Sequence, residues 1–383
     1  MIWVGLVGAI TLIGGVFWMG LVHREIHIWF WSYLAHQRRL TRLPNVSGTT
    51  HLMFCFVDHF EPLAAGADDA LGMQRVERWV RDYRRVAGAY KDSDGRYPSH
   101  SFFYPEEEYR PQFMDAIASL CHDGFGEVEV HLHHDHDTAS GLKEKLARFT
   151  DVLHAQHGLL SSVGGKIPFA FIHGNWALDN SRRDGRWCGI NNELIVLREA
   201  GCYADFTLPS APSDTQTRTI NAIYYAKDDP SRPKSHDVGV AMKVGGSASG
   251  DLLIFQGPLA LHWRHRKLGF WPRIENSDIA PTDIPIEERV ALWIKQHIHV
   301  EGRPEWLFIK VHTHGAIEEN ANFLFDGELR RLFECLENQH NDGVIHALHY
   351  VSAREAYNIA KAAEAGKTGN PDQYRDFVLP NRR

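Results

Sequence analysis

Glu127–Thr138 reads EVEVHLHHDHDT, an alternating apolar–polar run that ends in His131, His133, His134, Asp135, His136 and Asp137. Alternation with a period of two marks a strand. A strand that ends in imidazoles and carboxylates supplies what a metal site at the rim of a sheet requires. Neutral imidazole is the commonest protein ligand for first-row metals, and carboxylates complete the set. Two other segments repeat the pattern: Phe54–Pro62 (FCFVDHFEP) and Trp306–Ala316 (WLFIKVHTHGA) each run an apolar strand straight into Asp or His.

Outward from these segments, strand and helix patterns alternate. Strands are predicted at His51–Asp58, Ser101–Tyr104, Glu127–His133, Pro168–Ile172, Tyr203–Leu208, Trp306–Val311 and Val344–Tyr350. Helices are predicted at Leu71–Ala89, Pro111–Cys121, Asn192–Ala200 and Ile286–Ile298. Two more follow from the apolar faces Leu142, Leu146, Phe149, Leu153 and Leu329, Leu332, Phe333, Leu336. Ser352 with Glu355 three residues on reads as a capping box that opens a last helix. Repeated β-then-α units imply an α/β fold with a parallel sheet covered by helices. Polar chemistry at strand ends suits a barrel whose site forms at its C-terminal face. Thr217–Trp263 breaks the alternation with β-rich runs (Ile220–Tyr225, Val238–Val244, Leu252–Phe255) and is read as a hairpin insertion. The expected organisation is a membrane anchor and interfacial segment over residues 1–44, a barrel domain over 45–368 with 217–263 inserted, and a loose tail over 369–383.

The chain has 383 residues, 44% of them hydrophobic, enough to bury a sizeable core. A net charge of −7, a pI near 6.4 and the lack of a basic run interleaved with aromatics argue against a nucleic-acid partner. Histidine stands out, with 24 residues, several at predicted strand ends. The cysteines are Cys55, Cys121, Cys188, Cys202 and Cys335, an odd number without a CxxC pair. That pattern argues against a disulfide framework or a zinc knuckle. Ile2–Val22 carries no charge and is long enough to cross a bilayer core of about 30 Å. Ile28–Tyr33 then offers an aromatic belt for a membrane interface. No basic residue precedes the apolar segment, so a permanent anchor is expected rather than a cleaved leader. Arg24, Arg38, Arg39 and Arg42 follow it, which favours a cytoplasmic globular part.

Three strand ends would converge in such a barrel: Asp58 with His59, the His133–Asp137 cluster, and His312 with His314, of which one is expected to point inward. Two imidazoles and a carboxylate hold a divalent metal and leave positions open for water and substrate. The metal lowers the pKa of that water, and a nearby histidine protonates the leaving group. The inventory suits metal-assisted hydrolysis of an amide or ester. Phe171–Ser181 (FIHGNWALDNS) offers His173, Asn175, Trp176 and Asp179 to a sugar, and Glu107 in the Glu106–Glu108 run reaches the same pocket from the second strand.

Over Thr50–Ala363 these motifs resemble the NodB-type polysaccharide deacetylases, carbohydrate esterase family 4. Asp58-His59 stands where that family has an Asp-Asp pair, and His131–His133 where it has its first histidine ligand. IKVHTHG stands where it has its acid, and LREAGCYADFTLP where it has a helix-turn-strand. The family's Arg-Pro-Pro-Tyr motif is missing, replaced by the Phe171–Ser181 loop. The resemblance implies a distorted (β/α) barrel and a divalent metal, zinc first, held by His59, His133 and either His136 or Asp137. It makes Asp58 the base or a further ligand, and His312 or His314 the acid. It implies removal of acetyl groups, N-linked ones first, from a carbohydrate in cell-surface polysaccharide or lipopolysaccharide synthesis, beside polysaccharide-assembly proteins at the membrane. Two alternatives stand beside it. One is a barrel metallohydrolase for a phosphoester or another amide, in which His131 and Asp135 would help hold a second metal. The other is an inactive, glycan-binding scaffold.

Overall fold

A computed structural model describes residues 14–43, 48–267, 269 and 271–381. Its strands are β1 (Thr50–His59), β2 (His100–Pro105), β3 (Gly126–Leu132), β4 (Phe169–His173), β5 (Cys202–Asp205), β6 (Ile223–Ala226), β7 (Val240–Ala241), β8 (Leu252–Phe255), β9 (Ala260–Lys267), β10 (Trp271–Glu275), β11 (Trp306–Thr313) and β12 (His346–Tyr350). They form an α/β fold on one large, mostly parallel sheet of order β11-β1-β2-β3-β4-β5-β8-β6-β7, with β12 also paired to β1. β1 is the hub. β11 follows it along His51–Asp58, while β12 pairs with Thr50–Phe54 and β2 with Phe56–His59.

The helices are α1 (Phe30–Leu40), α2 (Asp69–Ala87), α3 (Pro111–His122), α4 (Ala139–Ala155), α5 (Glu193–Ala200), α6 (Ile286–Lys295), α7 (Glu318–Phe323), α8 (Leu329–His340) and α9 (Ala353–Glu364). Their starts follow from local chemistry. The Asp68 side chain accepts from Leu71 N at 2.9 Å to open α2, and the capping box read from Ser352 and Glu355 is present at α9. Val76, Trp79, Tyr83 and Val86 line one face of α2 at helical spacing and are buried.

The alternation of side chains along each strand divides the interior in two. Leu52, Phe54 and Phe56 of β1 join a core under α2, α3, α4, α5 and α8. Met53, Cys55 and Val57 join a second core on the inner face, filled by Phe103, Ile172, Phe206, Phe255, Phe308 and the apolar side of α9. Burial on both faces is why β1 reads as a continuous apolar run.

Three expectations change. The β-rich runs after residue 217 do not stand apart. β8 pairs parallel with β5 and antiparallel with β6, so they extend the main sheet, while β9 and β10 form a separate antiparallel ribbon that the sequence reading did not resolve. Among the described residues, no helix is long and apolar enough to cross a membrane. Residues 2–13 of the expected anchor lie outside the described residues, and residues 14–23 are helical. The aromatic stretch expected at a membrane interface packs on the protein instead. Leu21, Ile26, Trp29 and Tyr33 form a buried cluster with Ile220, Leu259 and Leu261. The single-pass anchor is corrected on this basis. At the other end, residues 371–381 are not a loose tail. Arg375, 4% exposed, donates to the Tyr350 carbonyl at 2.6 Å and meets Glu355 and Asp92.

Candidate active site

The C-terminal ends of β1, β3 and β11 bring five imidazoles together on the inner face. The His59 ring lies 4.5 Å from His314, 5.1 Å from His131 and 6.0 Å from His312, and His131 lies 4.6 Å from His133. His312 and His314 both point inward, because residues two apart in a strand share a face. The expectation that only one would do so is corrected. His59, His131 and His312 are buried, whereas His133 and His314 are half-exposed and form the open side.

His131 is fixed at one nitrogen. Its Nδ1–H donates to the Ile172 carbonyl at 2.8 Å, so Nε2 carries the lone pair of the neutral ring. That Nε2 lies 3.2 Å from Glu61 Oε1, and His133 Nε2 lies 3.6 Å from the same oxygen. Donor atoms of His59, Glu61 and His131 all lie within 4.8 Å of one another, an arrangement that can hold a divalent ion. Glu61 was not singled out from the sequence. Its signal was the spacing in Asp58-His59-Phe60-Glu61, which puts a carboxylate one turn of chain past a strand-end histidine. Burial and the neighbouring His314, His131 and His312 rings hold His59 well below the ordinary imidazole range.

Carboxyl groups surround the cluster in two states. Burial opposes ionisation of Glu107, but its 2.6 Å contact with His133 Nδ1 outweighs it, and its pKa is lowered. Glu108 accepts from Leu63 N at 2.6 Å, yet burial pushes its carboxyl up to about 7. Trp176 completes the rim, 6.0 Å from His59 and 5.7 Å from His314. Asn175, Trp176, Asp179 and Asn180 all have positive φ. Left-handed backbone at a bulky residue is held only where the surroundings over-determine it.

The other residues expected at the site fall elsewhere. Asp58 points to the face opposite His59. Its Oδ1 accepts from Gly315 N at 2.7 Å, and its Oδ2 lies 3.0 Å from His100 Nε2. Trp79 Nε1 donates to the Gly315 carbonyl at 2.6 Å. Only glycine fits there, since a Cβ would come within 2.5 Å of Asp58 and 2.3 Å of Trp79. Asp58 therefore positions the turn that carries His312 and His314. His136 has its side chain 87% exposed, and Asp137 takes a 2.7 Å contact from Lys145. Asp179 is buried, accepts from Ser235 N at 2.6 Å, and has its carboxyl raised to about 8 by burial first and the nearby Asp228 charge second.

His173 leaves the rim altogether. It lies on the helix-covered side with its ring 4.6 Å from His134, and both rings approach Glu193 Oε1, His134 Nε2 at 3.0 Å and His173 Nε2 at 3.4 Å. Cys188 Sγ lies 3.3 Å from Glu193 Oε2.

No family model and no curated protein matches this chain. Among solved structures it is similar to a GH57 branching enzyme from Thermococcus kodakaraensis, at 11% identity over 78% of this chain and 70% of that one, with a TM-score of 0.41. It is also similar to a 4-alpha-glucanotransferase from Thermococcus litoralis, at 13% identity over 87% of this chain and 49% of that one, TM-score 0.42. A third is an alpha-mannosidase from Enterococcus faecalis, at 8% identity over 84% of this chain and 30% of that one, TM-score 0.43. The chain spans about half the length of the glucanotransferase and under a third of the mannosidase. None of these three is a NodB-type deacetylase. Of the motif positions, His59, His133, His312 and His314 gather, but Asp58 is turned to the opposite face and His136 stands in solvent. The deacetylase resemblance, and the acetyl-removing activity it implied, are corrected accordingly.

Proposed function

We propose that the protein acts on glycosidic bonds of a carbohydrate at the C-terminal edge of its inner face. The observation that carries this reading is the split between neighbouring carboxyl groups: Glu107 is drawn towards ionisation, whereas Glu108 is raised to about 7. Cleaving an acetal needs one carboxyl group that gives a proton to the departing oxygen. It needs a second that stays negative beside the charge developing on the sugar. Glu108 is the proton donor. Its Oε2 accepts the Leu63 N–H, which leaves the proton on Oε1. Glu107 is the ionised partner, oriented by His133. Trp176 presents an aromatic surface for a sugar ring.

The donor set fits a divalent ion, zinc first. His59, Glu61 and His131 would hold it, and the bond from His131 Nδ1 to Ile172 already orients the free Nε2. Bound there, the ion would polarise a sugar hydroxyl. The enclosed inner core supports the finer reading of the fold as a distorted barrel with its site at the C-terminal ends of the strands.

The test is a panel of aryl glycosides and oligosaccharides, with products read by chromatography, for the wild type, Glu108→Gln and His131→Ala. Turnover is expected to fall about 10²–10⁴-fold in Glu108→Gln. His131→Ala is expected to lose one bound ion by elemental analysis. Unchanged turnover in Glu108→Gln overturns the proton-donor assignment. Failure of the metal-replete wild type to turn over any glycoside overturns the reading.

A further inference from the structure

The second cluster has a different character from the first. His134, His173 and Glu193 have side chains 0% exposed, and Cys188 is equally buried. Their ligand-capable atoms lie within 4.8 Å of one another. They arrive from four places: the turn after β3, the end of β4, the loop before α5, and the first turn of α5.

The hydrogen bonding inside this cluster is incomplete. His173 Nδ1–H donates to the Gly174 carbonyl at 2.6 Å, so the lone pair of the neutral ring is on Nε2. That Nε2 has no hydrogen-bond partner and sits 3.4 Å from a carboxylate oxygen of Glu193. Two acceptors face each other in a dry interior, where an unpaired polar group is costly. A cation between them removes the conflict. In the second ring the roles are exchanged. His134 Nε2 is hydrogen-bonded to the same Glu193 oxygen at 3.0 Å, and the unpartnered nitrogen is its Nδ1, which lies 3.2 Å from Asp137 Oδ2, a carboxylate placed to orient a ligating imidazole.

We propose that His134, His173, Cys188 and Glu193 form a closed, structural zinc site on the helix-covered side of the sheet. Two imidazole nitrogens, one thiolate and one carboxylate make a four-donor set suited to tetrahedral Zn²⁺, with every position filled by protein. The charge balances: one thiolate and one carboxylate neutralise the dication. On binding, the Cys188 S–H bond breaks, the sulfur keeps the electron pair and bonds the metal, and one proton leaves to solvent. The ion would tie the β3 turn and the β4 end to α5, and so brace the wall that carries His133 and Trp176. This site is independent of the proposed glycosidic reaction, and its thiolate distinguishes it from the inner-face cluster, whose donors are nitrogen and oxygen alone.

The experiment uses the full chain loaded with Co²⁺, as the wild type, His131→Ala and Cys188→Ser, with metal content measured alongside. A thiolate-to-cobalt charge-transfer band is expected in the wild type, kept in His131→Ala and lost in Cys188→Ser. With zinc, chelation is expected to lower the thermal midpoint of the wild type and of His131→Ala. If Cys188→Ser fails to fold, the band in the wild type and in His131→Ala, together with the chelator shift, decides the matter. A band that survives Cys188→Ser, a cobalt-loaded wild type without the band, or a midpoint indifferent to chelator would overturn the proposal. Loss of the ion in His131→Ala with the band intact would leave both sites standing. A band with no inner-face ion would remove the first site alone.

Discussion

The two imidazole–carboxylate clusters are divided by a single residue of strand register. On β3 and the turn after it, His131 and His133 go to the inner face, while His134 goes to the helix side. On β4, Ile172 lends its carbonyl to His131, while the next residue, His173, turns the other way. In each cluster one imidazole Nδ1 donates to a backbone carbonyl and its Nε2 faces a carboxylate, 3.2 Å from Glu61 in one and 3.4 Å from Glu193 in the other. The difference is enclosure. The inner cluster is walled by half-exposed His133, His314 and Trp176, whereas the outer one admits no solvent and includes a thiol. Similar donors at opposite faces thus divide into a site that can admit substrate and one that can only hold the fold together.

The largest expected effect tests that division through stability. Glu193→Ala removes a buried carboxylate that also accepts from Asp179 N, and it strands two imidazoles. A loss of about 3–5 kcal/mol is expected in denaturant unfolding. Glu61→Ala, at a half-exposed position, is expected to leave the unfolding midpoint nearly unchanged while abolishing turnover. If the two variants exchanged behaviour, the roles assigned to the clusters would be reversed.

The next effect is on rate. Glu108 must be protonated to act and has its carboxyl raised to about 7 by burial. Turnover is therefore expected to be full below that pH and to fall as pH rises through about 7, with Glu108→Gln removing this limb. A profile flat from pH 5 to pH 9 would assign the proton donor to another residue. A smaller effect is expected from Asp58→Asn, which loosens the Gly315 turn without touching the ion. Its zinc affinity at the inner face should weaken about 10–100-fold, read by calorimetric titration, with the cobalt–thiolate band unaltered.

How much of this was legible follows from where the donors lie in the chain. The strands could be read because β1 and β11 are apolar runs and β3 alternates apolar with polar residues, and the inner site could be read in outline because its histidines terminate those strands. The outer site could not. His134, His173, Cys188 and Glu193 are scattered over two loops, a strand end and a helix start, with no spacing that marks a zinc knuckle, and Cys188 read as one member of an odd set of thiols. Only the folding of α5 against the ends of β3 and β4 brings them together. Asp58 was misread for a related reason. A carboxylate at a strand end looks catalytic in sequence, but the pleat turns it towards His100 and Trp79, and which face is the inner one is decided by strand pairing that no local pattern encodes.

The smallest expected effect follows the inner face of β3 downward, through Glu127, Glu129, His131 and His133. If the inner face passes from a dry floor to a wet rim, Glu129 should behave as a floor residue. It accepts from Ala170 N and from the Tyr203 hydroxyl, each at 2.5 Å, and burial raises its carboxyl to about 8 against an ordinary 4.5. Between those values the folded state keeps a proton that the unfolded chain has released. Stability should accordingly fall as pH rises from about 4.5 to about 8, the reverse of a salt-bridged carboxylate. Glu129→Gln keeps the shape and both contacts, with its amide oxygen accepting from Ala170 and its amide N–H meeting the Tyr203 oxygen. The variant should match the wild type near pH 5 and show the higher thermal midpoint near pH 8. A difference that stayed constant across that window would mean that water reaches Glu129. The inner cluster would then be open from below as well as from its rim, which would widen its contrast with the sealed outer site.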